Sequence, residues 1–167
     1  HIIEKMLINN DIDFAVVDNL VLSHNWKSDL LYSENMLLVC SPDFYRGNSI
    51  TVNKLSSKKL LLRERGSGSR ESADSVFLRH GCKPKPFFES SSSLALLNMA
   101  ESGLGFTVLP SSTLENSLNS GKLKKVELSD DGFKRYHYLI RHEKKYLTKA
   151  MLGVIDIIQS DCQNKNV

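Results

Sequence analysis

The segment 58–77, KKLLLRERGSGSRESADSVF, constrains the fold most. It runs from an apolar stretch, Leu60–Leu62, through a Gly/Ser turn into Ala73, Val76 and Phe77 at helical spacing. That order reads as strand, turn, helix, with Gly81 as the stop. The order repeats. Lys85–Ser90 is a strand, Ser90–Ser93 a polar turn, and Leu94–Glu101 a helix closed by Gly103. Phe106–Pro110 is the next strand, and Leu114–Asn119 a short helix ended at Gly121. Strands that alternate with helices predict α/β architecture with mainly parallel sheets.

The flanks extend the pattern. Ile2, Ile3, Met6 and Leu7 share a helical face that Asn9-Asn10 ends, and Asp13–Asp18 is a short strand. The stretches WKSDLLYS and NMLLVCSPDF follow, the second a buried strand stopped by Pro42. Val52–Ser57 reads as a short helix, and LKKVEL and KRYHYLIRH as strands. Leu147, Met151, Leu152, Ile155 and Ile158 form one face of a final amphipathic helix. An α/β unit normally begins with a strand, and here a helix comes first. The expectation is a lobe that lacks its opening strand and helix, with Phe14–Val17 left as a sheet edge.

The chain has 167 residues, 41% of them hydrophobic and 25% charged, which suits one domain or two small lobes rather than disorder. A net charge of +3, in short clusters such as Lys58-Lys59 and Lys124-Lys125, is too small to argue for nucleic acid. Cys40, Cys82 and Cys162 are an odd number at wide spacing, which argues against a disulfide framework or a CxxC site. Their usage fits a reducing cytoplasm. No membrane association is expected, because no apolar run approaches the ~18 residues of a span.

Several chemistries are excluded by spacing. GSGSRES lacks the Walker lysine, and Glu71 stands where a dinucleotide loop needs a third glycine. GLGF, Gly103–Phe106, follows a helix instead of a strand. No HExxH, paired Cys/His or Gly-x-Ser-x-Gly pattern occurs, so no metal, no cofactor and no enzyme activity are expected. His137 reads as a packed strand residue and Trp26 as packing. Two helix starts rich in hydroxyls remain. Their serines can cap the helices, or the free N–H groups beside them can receive a small anion. The local sequence leaves both readings open.

Taken in order, NNDIDFAVVD, NMLLVCSPDF, LLLRERGSGSRE and SLALLNMAESGLGFTVLPSS resemble the C-terminal effector-binding domain of LysR-type transcriptional regulators. YLIRHEKKYLTKAM fits the family's ending more loosely, and the likeness covers about residues 2–160. The resemblance implies a periplasmic-binding-protein-like fold of two α/β lobes joined by two crossovers, expected at Lys58–Leu62 and Tyr138–Arg141. Lobe one would be residues 1–58 with 137–167, and lobe two 59–136. A small effector, a carboxylate or small anion, would bind in the interlobe cleft. Carried over by position, its contacts would be Asp18, Asn19, Arg63, Glu64, Ser67, Gly68, Ser69, Arg70, Ser91 (at the start of the next helix), Phe106 and Thr107. The resemblance also implies a homodimer or homotetramer. DNA would be reached only through an N-terminal domain that this chain lacks. A transport-type solute-binding protein is the alternative on the same scaffold.

Overall fold

The computed structural model describes residues 2–18 and 25–163. The chain divides into two compact units, residues 1–33 with 136–167 and residues 34–135. The divisions fall inside two long strands, β2 (Trp26–Cys40) and β9 (Phe133–His142), so each crossover is an uninterrupted strand.

In the first unit, α1 (Ile2–Ile8) leads into β1 (Ala15–Asp18), which pairs antiparallel with β9. Strand β9 neighbours β2, and α6 (Lys149–Gln163) closes the chain. Among the described residues β1 pairs with β9 alone, so it is a sheet edge, as its sequence context predicts. Leu31, Leu139, Ile155 and Cys162 form a small core, with Phe14, Tyr32 and Ile158 packed against it. Helix α1 ends in a Schellman motif: Asp11 N–H donates to Met6 O at 2.8 Å and Asn10 N–H to Leu7 O at 3.3 Å. Asn10 takes the left-handed conformation (φ 60°) usually given to glycine, which places a polar side chain at this corner.

The second unit holds the larger core. Strands β4 (Leu60–Arg63), β5 (Phe88–Ser90) and β6 (Phe106–Pro110) are parallel, in the order β6-β4-β5. Helix α3 (Gly68–Arg79) links β4 to β5, and α4 (Ser93–Glu101) links β5 to β6. Each helix returns the chain to the same end of the sheet, which parallel pairing requires. Strand β2 pairs antiparallel with β6. The sheet is therefore mixed, not mainly parallel: β4, β5 and β6 run parallel, while β2 with β6 and β1 with β9 run antiparallel.

The smaller elements also differ from expectation. LKKVEL is not one strand. Its first half, β7 (Lys124–Lys125), joins β2, and its second, β8 (Glu127–Leu128), pairs parallel with β3 (Ser49–Ile50). Two short helices complete the unit, α2 (Val52–Ser56) and α5 (Ser111–Asn119).

Residues 34–58 belong to this second unit rather than to the first. Met36, Leu38, Cys40, Ile50, Val52 and Leu55 pack with Leu60, Phe77, Phe106 and Phe133 in one cluster. At roughly 1.5–3 kcal/mol for each buried large apolar side chain, that burial fixes where 34–58 packs. On the other sheet face Val39, Leu61, Leu96, Leu109 and Leu114 pack under α4 and α5. Burial raises the Cys40 thiol to about 11, with Lys124 opposing the shift, so Cys40 is a core residue. The close approach in GLGF explains its second glycine: a Cβ on Gly105 would lie 2.5 Å from the Lys59 carbonyl oxygen. Phe106 N–H donates to that same oxygen at 2.9 Å.

Candidate functional site

Three helices of the second unit start where parallel strands end: α3 after β4, α4 after β5 and α5 after β6. The carboxyl ends of parallel strands are where α/β sheets bind ligands, and each helix start adds unpaired N–H groups and partial positive charge. Serine chemistry sets up the first two starts. Ser67 Oγ accepts from Arg70 N–H at 3.2 Å, and Ser92 Oγ from Ala95 N–H at 3.2 Å. The cap of α4 is thus Ser92, and the helix begins at Ser93, two residues after the expected Ser91. Ser91 is exposed. Helix α5 has Pro110 before it and no side-chain cap, while Ser112 Oγ in its first turn donates to Glu34 at 3.1 Å.

One arginine that sequence reasoning did not single out ties two of these starts together. Arg135, at the end of the unit in β9, donates through Nη2 to Glu34 at 2.6 Å and through Nη1 to Ser69 Oγ at 3.4 Å. Ser69, Arg135, Glu34 and Ser112 therefore form one polar chain across α3, β9, β2 and α5. Ser69 is 4% exposed, and among the described residues its hydroxyl makes this one long contact, as acceptor, so its proton can still be given away. The local signal for Arg135 was weak, because it reads as an outward residue of an alternating strand.

The other predicted residues divide into three groups. Arg63 donates from Nε and Nη2 to both oxygens of Glu64, at 2.9 and 3.1 Å, and from Nη1 to Ser93 at 2.8 Å. The Arg63 hydrogen bonds hold the Glu64 carboxyl below its usual range. Arg70 is 4% exposed and engaged through both Nε and Nη1, so its charge is already matched. Its Nε meets Asp74 at 2.9 Å, while Nη1 donates to Arg63 O at 2.9 Å and pairs with Glu89 at 3.3 Å. It pins α3 to β4 and β5. Gly68 opens α3, and its carbonyl accepts from Ser72.

Phe106 and Thr107 are both 0% exposed inside β6, and offer no surface to a solute. In the first unit Asp18 lies at the end of β1 and meets His137 Nδ1 at 2.8 Å. His137 stacks on Tyr32 with ring centroids 4.2 Å apart, the packed strand role its sequence suggested. Asn19 lies outside the described residues.

Residues 1–163 match the family described as LysR substrate binding domain. The chain belongs to this family. The Escherichia coli K12 HTH-type transcriptional regulator YeiE is 32% identical over 107 residues, 64% of this chain and 36% of YeiE. The chain spans about a third to a half of the length of the curated relatives it matches. The Synechocystis CcmR regulatory domain, solved with 2-PG, aligns at TM-score 0.78 and 21% identity, covering 97% of this chain and 79% of that one. The QuiR effector-binding domain, solved with shikimate, also aligns at TM-score 0.78, with 17% identity, covering 99% and 78%. The fold of this LysR-family domain is the periplasmic-binding-protein-like α/β fold. The match favours an effector-sensing domain over a transport-type solute-binding protein. The family is one of transcription regulators. Among the described residues no helix is long and apolar enough to cross a membrane, and no cluster of three metal-ligating side chains occurs.

Proposed function

We propose that this LysR-family domain senses a small polar effector through the strand ends of its second unit, and that its parent protein converts the binding into altered DNA occupancy. The observation that carries the reading is the polar chain Ser69–Arg135–Glu34–Ser112, set beside the serine-capped starts of α3 and α4. Ser69 and Ser91 would contact the effector directly. Phe106 and Thr107 drop out of the contact set, and Arg63, Glu64 and Arg70 act by holding the loop.

The effector class we favour is a small carboxylate or related anion. The positive ends of the helices and the exposed Arg65 supply the attraction, since Arg63, Arg70 and Arg135 are each already paired with a carboxylate. The bound molecules of CcmR and QuiR are small enough to set the scale. Effector binding would act by population shift, favouring one subunit arrangement of a homodimer or homotetramer over another. We place the parent protein in the cytoplasm, assign no catalysis to this domain, and assign DNA contact to a separate domain.

A thermal-shift screen of small carboxylates, phosphates and their neutral counterparts tests the reading. A true effector at about 100 times its Kd should add ~2.7 kcal/mol, which raises Tm by several degrees in a chain of this size. Ser69→Ala should lose most of that shift while keeping the ligand-free Tm. Stabilisation by neutral apolar compounds alone would defeat the anion assignment.

A further inference from the structure

The first unit contains a cavity of about 590 Å³ that the proposed effector site does not use. Its volume lies in the range of small-molecule sites, roughly 300–1,000 Å³. The apolar wall comes from Leu7 and Ile8 of α1 and from Met151 of α6. The polar wall comes from His142 at the end of β9 and from Lys144 and Lys145 in the turn after it. Ile8 is 61% exposed and Tyr146 is 82% exposed, so large apolar surface stands open at this place.

The polar wall is ordered by specific contacts. Lys145 is 18% exposed, and its ammonium meets Asp13 at 2.7 Å and Asn10 Oδ1 at 3.0 Å. The left-handed Asn10 that ends α1 is thus also a prop for Lys145. His142 Nδ1 accepts from the Lys144 backbone N–H at 3.2 Å, which puts the ring proton of the neutral imidazole on Nε2 as a donor. Lys144 is exposed and carries no ion pair among the described residues. An apolar floor, an unmatched ammonium and an imidazole donor side by side complement a molecule with an apolar body and one anionic head.

We propose that this cavity is a second ligand site, for a small amphipathic monocarboxylate. The apolar chain would lie on Leu7, Ile8 and Met151, and the carboxylate would meet Lys144 and His142 Nε2–H. The site is independent of the effector site proposed above, since all of its residues belong to the first unit.

The protein carries its own reporter. Trp26 is the sole tryptophan, and its ring meets His142 edge-on with centroids 5.8 Å apart. The probes are octanoate and its neutral counterpart 1-octanol, titrated into the 167-residue chain while Trp26 emission and amide shifts are followed. Octanoate should change Trp26 emission saturably and shift the amides of residues 7–10 and 142–146. Lys144→Glu should weaken octanoate by about fivefold or more through charge reversal and leave 1-octanol unaffected. Ser69→Ala should change neither. The proposal fails if no saturable change occurs up to about 10 mM octanoate, ten times a millimolar Kd. It fails equally if Lys144→Glu binds octanoate as wild type does, or if the shifts map to residues 67–93.

Discussion

Thr107→Val should stabilise the protein, although Thr107 stood among the ligand contacts expected from the family. Thr107 pairs with Val39 on one side and Leu61 on the other, so the three share a sheet face. That face packs on Leu96, Leu109 and Leu114, all fully buried. The Thr107 hydroxyl is buried there with no hydrogen-bond partner among the described residues. A buried hydroxyl without a partner costs ~1–3 kcal/mol, and valine keeps the shape while removing the cost. The expected gain is about 1–2 kcal/mol, or about 2–8 °C in Tm at roughly 2–4 °C per kcal/mol. Thr107→Ser keeps the hydroxyl and deletes the methyl, so it should lose about 1 kcal/mol. Urea unfolding with an unchanged m-value measures both, and effector affinity should not change in Thr107→Val. A loss of 1 kcal/mol or more in Thr107→Val would refute the reasoning, because the hydroxyl would then have to be doing something useful in the native state.

Arg70→Met should cost about 2–3 kcal/mol, the range of charge-assisted hydrogen bonds, as the tie to Arg63 O is lost; Asp74 and Glu89 are exposed enough to rehydrate, which limits the loss, and urea unfolding reads it. Asp131→Asn should cost about 1 kcal/mol at pH 7, given a half-exposed Arg79 partner. Desolvation pushes the Asp131 carboxyl up, but hydrogen bonds from Gly132, Arg79 and His80 outweigh it and hold the carboxyl below its usual range. A depressed folded-state value contributes stability above the ordinary carboxylate pKa of about 3.9 and loses it as pH falls through the folded value. The wild-type advantage over Asp131→Asn should therefore be full above about pH 5 and shrink in acid, as stability curves at several pH values would show. Native Cys40, fully buried with its thiol at about 11, should resist a thiol reagent at pH 8 while half-buried Cys82 reacts first, which mass spectrometry of the labelled peptides would reveal.

The strand–turn–helix units were legible because their signals are local. Leu60–Leu62, the Gly/Ser turn and the Ala73–Phe77 spacing each act within one element, and the structure places β4 and α3 within a residue or two of them. The crossovers were not legible, because a strand that passes from one unit to the next carries no break. Tyr32-Ser33-Glu34-Asn35 looks like a polar gap between two strands, yet β2 runs through it without interruption. Register, not composition, decides there: Met36, Leu38 and Cys40 face one core of the second unit, and Val39 faces the other. Boundaries of that kind depend on which distant segment completes each core, which is a property of the packed chain.

The site divides along the same line. Helix starts with capping serines follow from the local order of residues, and Ser67 and Ser92 do cap α3 and α4. The fate of each arginine does not, because a guanidinium is satisfied by whichever carboxylate the fold brings near. Arg63 found its partner at the next residue, Arg70 one turn along α3 and again across to β5, and Arg135 found Glu34 from the opposite end of the unit. A reading that counts arginines in a loop therefore overstates its positive charge. With those three arginines matched, the attraction for an anion falls to the exposed Arg65, which has no ion pair among the described residues, and to the helix starts, whose N–H groups are directional and of fixed position. Such a site selects by where a ligand's oxygens lie more than by its total charge, and that is the property a sensor needs to tell one small metabolite from another.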